Sequence, residues 1–94
     1  MTDNIKLLVG SLSNDLLRTA TFSARDTKTN ASRFAIEAKR WAEPLQHLDV
    51  PQYIKDIATH VATQSTTDIS LPLAERYLMY SVLLQNFALH HKVE

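Results

Sequence analysis

The chain has 94 residues, 45% hydrophobic and 21% charged, and its ten basic residues balance ten acidic ones for a formal net charge of zero. These proportions fit a single domain over residues 1–94, near the lower end of sizes that fold alone. They exclude a disordered chain and a protein steered by its overall field to nucleic acid or anionic lipid. The lack of cysteine removes disulfides, thiolate metal sites and a cysteine nucleophile, and the single glycine, Gly10, excludes P-loop and Rossmann phosphate sites.

Few glycines also leave few tight hairpins, and abundant Leu and Ala point to an all-α fold. The N-terminal stretch MTDNIKLLVGSLSNDLL has no basic segment followed by an unbroken apolar core, so it does not read as a signal peptide. With no cysteine to protect, the expected location is cytoplasmic.

At about 100° per residue, Ile5, Leu8, Val9, Leu12, Leu16, Ala20 and Ala24 fall on one stripe, which predicts a first helix over 3–24 with Thr2 or Asp3 as N-cap. A second helix over 29–43 turns Ala31, Phe34, Ala35, Ala38, Trp41 and Ala42 inward, and Pro44 is expected to end it. The stripe keeps its phase from Ile5 to Leu45, so periodicity alone would allow one helix of about 60 Å. A domain of this size has a radius of gyration near 13 Å. A break is therefore expected within Arg25–Asn30, where Asp, Thr and Asn favour turns, and Phe22 would otherwise lie on the charged side.

A third helix is expected over 50–64, with Asp49 as N-cap, Gln52 as its capping-box partner and Pro51 in the first turn. The polar run 64–68 reads as a loop, and Ser70 caps a fourth helix over 70–91 with Pro72 in its first turn. This fourth helix is highly apolar and carries two stripes. Leu73, Tyr77, Tyr80, Leu84 and Phe87, continued by His91, form one; Leu71, Leu78, Val82 and Leu89 lie nearly opposite. Two stripes call for two partners, so the helix is expected at the centre of a compact antiparallel four-helix bundle, with one stripe closing its core. The run is too short to be expected to span a membrane, which takes about 20 apolar residues.

Residues with chemical potential are few. His47 and His60 each follow a carboxylate by four residues, and His90 and His91 point about 100° apart, so no metal site and no cofactor are expected. The aspartates read mostly as caps and loop residues, no carboxylate stands out on an apolar stripe, no serine-nucleophile motif is present, and no catalytic residue is assigned. Trp41, Tyr77, Tyr80 and Phe87 could line a pocket for a flat apolar ligand, although aromatics at helical spacing are more often core.

Between Arg18 and Arg40, six basic residues stand against Asp26 and Glu37, a local net of +4 that leaves −4 on the remainder. Arg25, Lys28, Arg33, Lys39 and Arg40 could form a face for an anionic partner. Arg33 with Glu37 at i+4 reads more simply as a solvated ion pair.

The aliphatic stripe of the fourth helix is the sharper signal. Leu71, Leu78, Val82 and Leu89 form a self-complementary seam suited to a two-fold dimer. The leading expectation is a non-enzymatic interaction or regulatory module that pairs with itself, or with another protein, through this seam. The alternative is a nucleic-acid-binding protein using residues 18–40. In length, lack of cysteine and four-helix layout the chain also resembles the small bacteriocin immunity proteins of Gram-positive bacteria. That resemblance of architecture implies a membrane receptor–toxin complex as partner.

Overall fold

The computed structural model describes residues 2–25 and 28–90, with side chains from residue 4 onward. Four helices follow in order: α1 (Thr2–Ala24), α2 (Lys28–Leu45), α3 (Gln52–Thr63) and α4 (Leu71–His90), with no strand among the described residues. The radius of gyration is 12.5 Å and the longest dimension 42 Å, so the 23-residue α1, about 35 Å at 1.5 Å per residue, spans most of the molecule.

The chain does break between α1 and α2. Phe22 stacks on Phe34 across the join, with ring centroids 5.5 Å apart and planes 6° from parallel. Asp15 meets Trp41 further along the same pair of helices, so the two run in opposite directions. Hydrogen bonds from Ser13 to the Ser81 carbonyl and from Ser23 to the Ile69 carbonyl set α4 antiparallel to α1 as well.

Three expectations about helix ends are corrected. Helix α2 runs through Pro44 to Leu45. The proline sits in the last turn, where its missing N–H costs one bond, and Leu45 is fully buried in the core beyond it. Helix α3 starts at Gln52 rather than 50 and ends at Thr63, and Asp49 does not cap it. Pro51 occupies the cap position, its carbonyl accepting from Ile54 and Lys55, while the Gln52 side chain donates to Asp56 instead. The cap on α4 is as expected: the Ser70 hydroxyl accepts from the Leu73 N–H at 3.2 Å. Capping by Thr2 or Asp3, and the place of His91, lie outside the described side chains.

The centre of the bundle is also corrected. Helix α1, not α4, is the hub: it packs on both α2 and α4, while α3 packs on α2. Val9, Leu12 and Leu16 are fully buried, and the polar Ser13, Asp15 and Thr19 on the same helix are buried with them. The face that α2 turns inward is almost all alanine, with Ala31, Ala35, Ala38 and Ala42 ahead of Leu45. Such small side chains let two helices approach closely without a gap to fill.

Helix α4 buries one face, formed by Ala74, Tyr77, Ser81, Leu84 and Ala88. The small row Ala74–Ser81–Ala88 lies between the two stripes read from the sequence, which places the contact with α1 between them. On one flank Leu73, Tyr80 and Phe87 pack against the core. On the other flank the aliphatic row faces outward.

Candidate interaction surface and a polar cleft

The spacing of Leu71, Leu78, Val82 and Leu89 keeps these residues on one face of α4. They are 67%, 48%, 55% and 64% exposed. Met79 and Leu83, further around the helix, are exposed too. The apolar surface does not stop at α4. Between its first half and the last turns of α1 runs a groove of about 300 Å³ floored by Ala20, Thr21, Ala24, Leu71, Ala74 and Leu78. Arg25 stands on the α1 lip and Glu75 on the α4 lip. Exposed Leu17, one turn before Thr21, continues the α1 lip. The result is a two-helix apolar face with one positive and one negative rim, and among the described residues neither Arg25 nor Glu75 is in an ion pair.

On another flank of α1, facing α2, lies a polar cleft of about 370 Å³ lined by Asp15, Arg18, Arg33, Phe34, Glu37 and Trp41 among others. Asp15 forms its floor and is only 7% exposed. Its Oδ2 accepts a 2.8 Å hydrogen bond from the Trp41 indole, and its Oδ1 lies 3.7 Å from the Arg18 guanidinium. Burial pushes the Asp15 carboxyl above the ordinary value of 3.8. The Trp41 hydrogen bond and the Arg18 charge act downward, and Glu37 adds to the rise. The Arg18 guanidinium also lies over the Phe34 ring, 5.4 Å from its centroid.

Asp15 corrects the expectation that no carboxylate stands on an apolar stripe: it sits mid-helix, buried in the packed interface of α1 with α2. Its signal was its place on the row Leu8, Leu12, Asp15, Thr19, Phe22, at i, i+4, i+7, i+11 and i+14, where it is the single charged residue. Thr19 satisfies itself by donating to the Asp15 backbone carbonyl at 2.7 Å.

The four aromatics considered for one pocket divide. Tyr77 is buried and 6.4 Å from Tyr80, ring centre to ring centre. Burial, with Tyr80 beside it, pushes the Tyr77 phenol up to about 12. Tyr80 shares a 2.9 Å hydrogen bond with His60 Nδ1 on α3, and Phe87 packs on the same core. Trp41 instead turns to Asp15. Phe34 joins Phe22 rather than the α4 aromatics.

The basic stretch is likewise divided. Arg40 pairs with Glu37 at 2.7 Å, in place of the expected Arg33–Glu37 pair. Arg33 lines the polar cleft. Lys28 borders a separate cleft with Ser23 and Asp68, Arg25 rims the apolar groove, and Lys39 is half-buried. On the α2 helix Lys28 and Lys39 lie about 120–140° from Arg33, so the five cations do not share one face.

Among the described residues no three His, Cys, Asp or Glu side chains group as metal ligands, and no helix is long and apolar enough to cross a membrane. Comparison of the chain with protein families, curated proteins and solved structures finds no match.

Proposed function

We propose that this protein is a cytoplasmic, non-enzymatic interaction module that pairs with a second copy of itself through α4 and the adjoining groove. The observation that carries the reading is the exposed row Leu71, Leu78, Val82 and Leu89, continuous with the groove over Ala20 and Ala24. Fully burying such a side chain is worth about 1.5–3 kcal/mol, and the four, 48–67% exposed, keep roughly half to two thirds of that gain in reserve.

A second copy fits better than an unrelated partner because the rims are complementary. A two-fold axis along the groove sets the α4 lip of one chain over the α1 lip of the other. That arrangement brings Arg25 opposite the partner's Glu75, and Glu75 opposite the partner's Arg25. An isologous contact of this kind closes on itself, so the same face is not left open for further addition.

Sedimentation velocity across a concentration series tests the reading, with a dimer expected at high micromolar concentration. Val82→Lys should give a monomer with an unchanged circular dichroism spectrum, because the side chain it replaces is exposed. A wild-type monomer at those concentrations, or a dimer indifferent to Val82→Lys, would sink it.

A further inference from the structure

The polar cleft between α1 and α2 has no part in the proposed dimer, yet it holds chemistry unusual for a solvated groove. Asp15 presents a nearly buried carboxylate whose Oδ2 is engaged by Trp41 while its Oδ1 receives no hydrogen bond from any described residue. Arg18, at 3.7 Å, is beyond hydrogen-bond reach of that oxygen and rests on Phe34. Arg33 stands at the same cleft, and Glu37, the carboxylate one turn away on its own helix, is taken by Arg40. Among the described residues Arg33 therefore has no ion-pair partner. On the floor an acceptor that has only the Arg18 ion pair and no hydrogen bond, and on the wall a guanidinium without an ion pair among the described residues, face one space of about 370 Å³, at the small end of ligand sites.

The charges in the lining decide what that space can take. The lining holds two guanidiniums, Arg18 and Arg33, and two carboxylates, Asp15 beside Arg18 and Glu37 already paired with Arg40 from outside the lining. A polyanion would meet both carboxylates, and a plain cation would meet both guanidiniums. A compact ligand carrying one charge of each sign is matched on both. The Trp41 ring supplies apolar surface for the remainder of such a molecule, since the two faces of Phe34 are already covered by Phe22 and Arg18.

We propose that this cleft binds a small zwitterion of the free amino-acid class, its ammonium donating to Asp15 Oδ1, its carboxylate held by Arg33 and its apolar side chain against Trp41. The guanidinium fork suits a carboxylate bidentately, and the ammonium supplies the hydrogen bond that Asp15 Oδ1 lacks.

Trp41 is the only tryptophan in the chain and contacts the floor residue directly, so its fluorescence reports on the cleft without a label. The experiment titrates the full-length protein with L-phenylalanine and L-leucine, then with N-acetyl-L-phenylalanine and L-phenylalaninamide, which lack the ammonium and the carboxylate in turn. The two free amino acids should change the Trp41 emission along saturable curves, and each blocked derivative should bind at least about tenfold more weakly. Arg33→Gln should cost about tenfold for the free amino acids with an unchanged melting curve, whereas Lys39→Gln, which removes an equal charge outside the cleft, should bind as the wild type does. No saturable change with either amino acid up to about 10 mM would overturn the proposal. So would blocked derivatives that bind as well as the free amino acids, or equal losses in the two variants.

Discussion

The Trp41 indole donates to the Asp15 carboxylate at 2.8 Å and so ties the middle of α1 to the far half of α2. A buried carboxylate carries a desolvation cost that hydrogen bonds offset only in part, and here burial outweighs the two downward influences, Trp41 and Arg18. The carboxyl therefore binds its proton more tightly in the folded chain than in the unfolded one. Between the ordinary value of 3.8 and the raised one, the native state holds more protons, and Asp15 makes stability fall as pH rises through that window.

Replacing Asp15 by Asn keeps an acceptor for Trp41 and removes the buried charge. Asp15→Asn is expected to equal or exceed the wild type in urea unfolding at pH 7, and its advantage should shrink as pH falls toward 4. An advantage that grows on acidification would show that the carboxylate is stabilising when ionised. Trp41→Phe works the other way. It strips the carboxylate of its donor and should cost about 1–3 kcal/mol at pH 7.

Gly10 lies inside α1, and a methyl group added at its Cα would meet no atom within 4 Å. The only glycine of the chain is thus a helix-interior residue with no close approach to protect. Gly10→Ala should stabilise the protein by about 0.5–1 kcal/mol, through the smaller backbone entropy lost on folding. Chemical denaturation measures this directly. A loss of stability would mean that the position serves something outside the isolated fold.

Adjacent residues on α4 should respond in opposite ways. Ser81 is buried at the contact with α1, its backbone carbonyl accepting from Ser13 at 2.7 Å and its hydroxyl donating to the Leu78 carbonyl at 2.6 Å. Ser81→Leu would force apart two helices that meet through small side chains and should cost about 1–3 kcal/mol. Val82→Ser, one residue on and exposed, should stay within about 0.5 kcal/mol in monomer stability. Thermal melts of the pair at low concentration distinguish a seated row from a free one.

That pair also shows how far the sequence could be read. The four helices, the break between α1 and α2 and the Ser70 cap follow from spacing and turn chemistry, because hydrophobic period and capping residues act locally. The outward aliphatic row was legible for the same reason. The buried face of α4 was not, since weight by hydropathy falls on large residues whereas close packing chose Ala74, Ser81 and Ala88. The hub role of α1 was equally hidden: it depends on which helices meet, which no single stripe encodes. Asp15 escaped because a carboxylate on an apolar row contradicts the pattern that marks a core. Its partner, Trp41, lies on another helix.

The rims of the apolar groove give the sharpest test of how two chains would meet. In a two-fold dimer with its axis along the groove, each substitution acts twice, so even exposed pairs worth about 0.2–1 kcal/mol each become measurable. Glu75→Arg would set two like-charged pairs, Arg25 against the partner's residue 75, and should weaken the dimer severalfold. Arg25→Glu should do the same by the opposite sign. The double variant, with both reversed, restores two attractive pairs and should recover most of the wild-type affinity, more completely at low salt than at high. Sedimentation equilibrium on the four proteins measures all these terms. Additive losses in the double variant would exclude the Arg25–Glu75 pairing and favour an axis across the helices, with α4 running antiparallel to its copy along Leu71, Leu78, Val82 and Leu89.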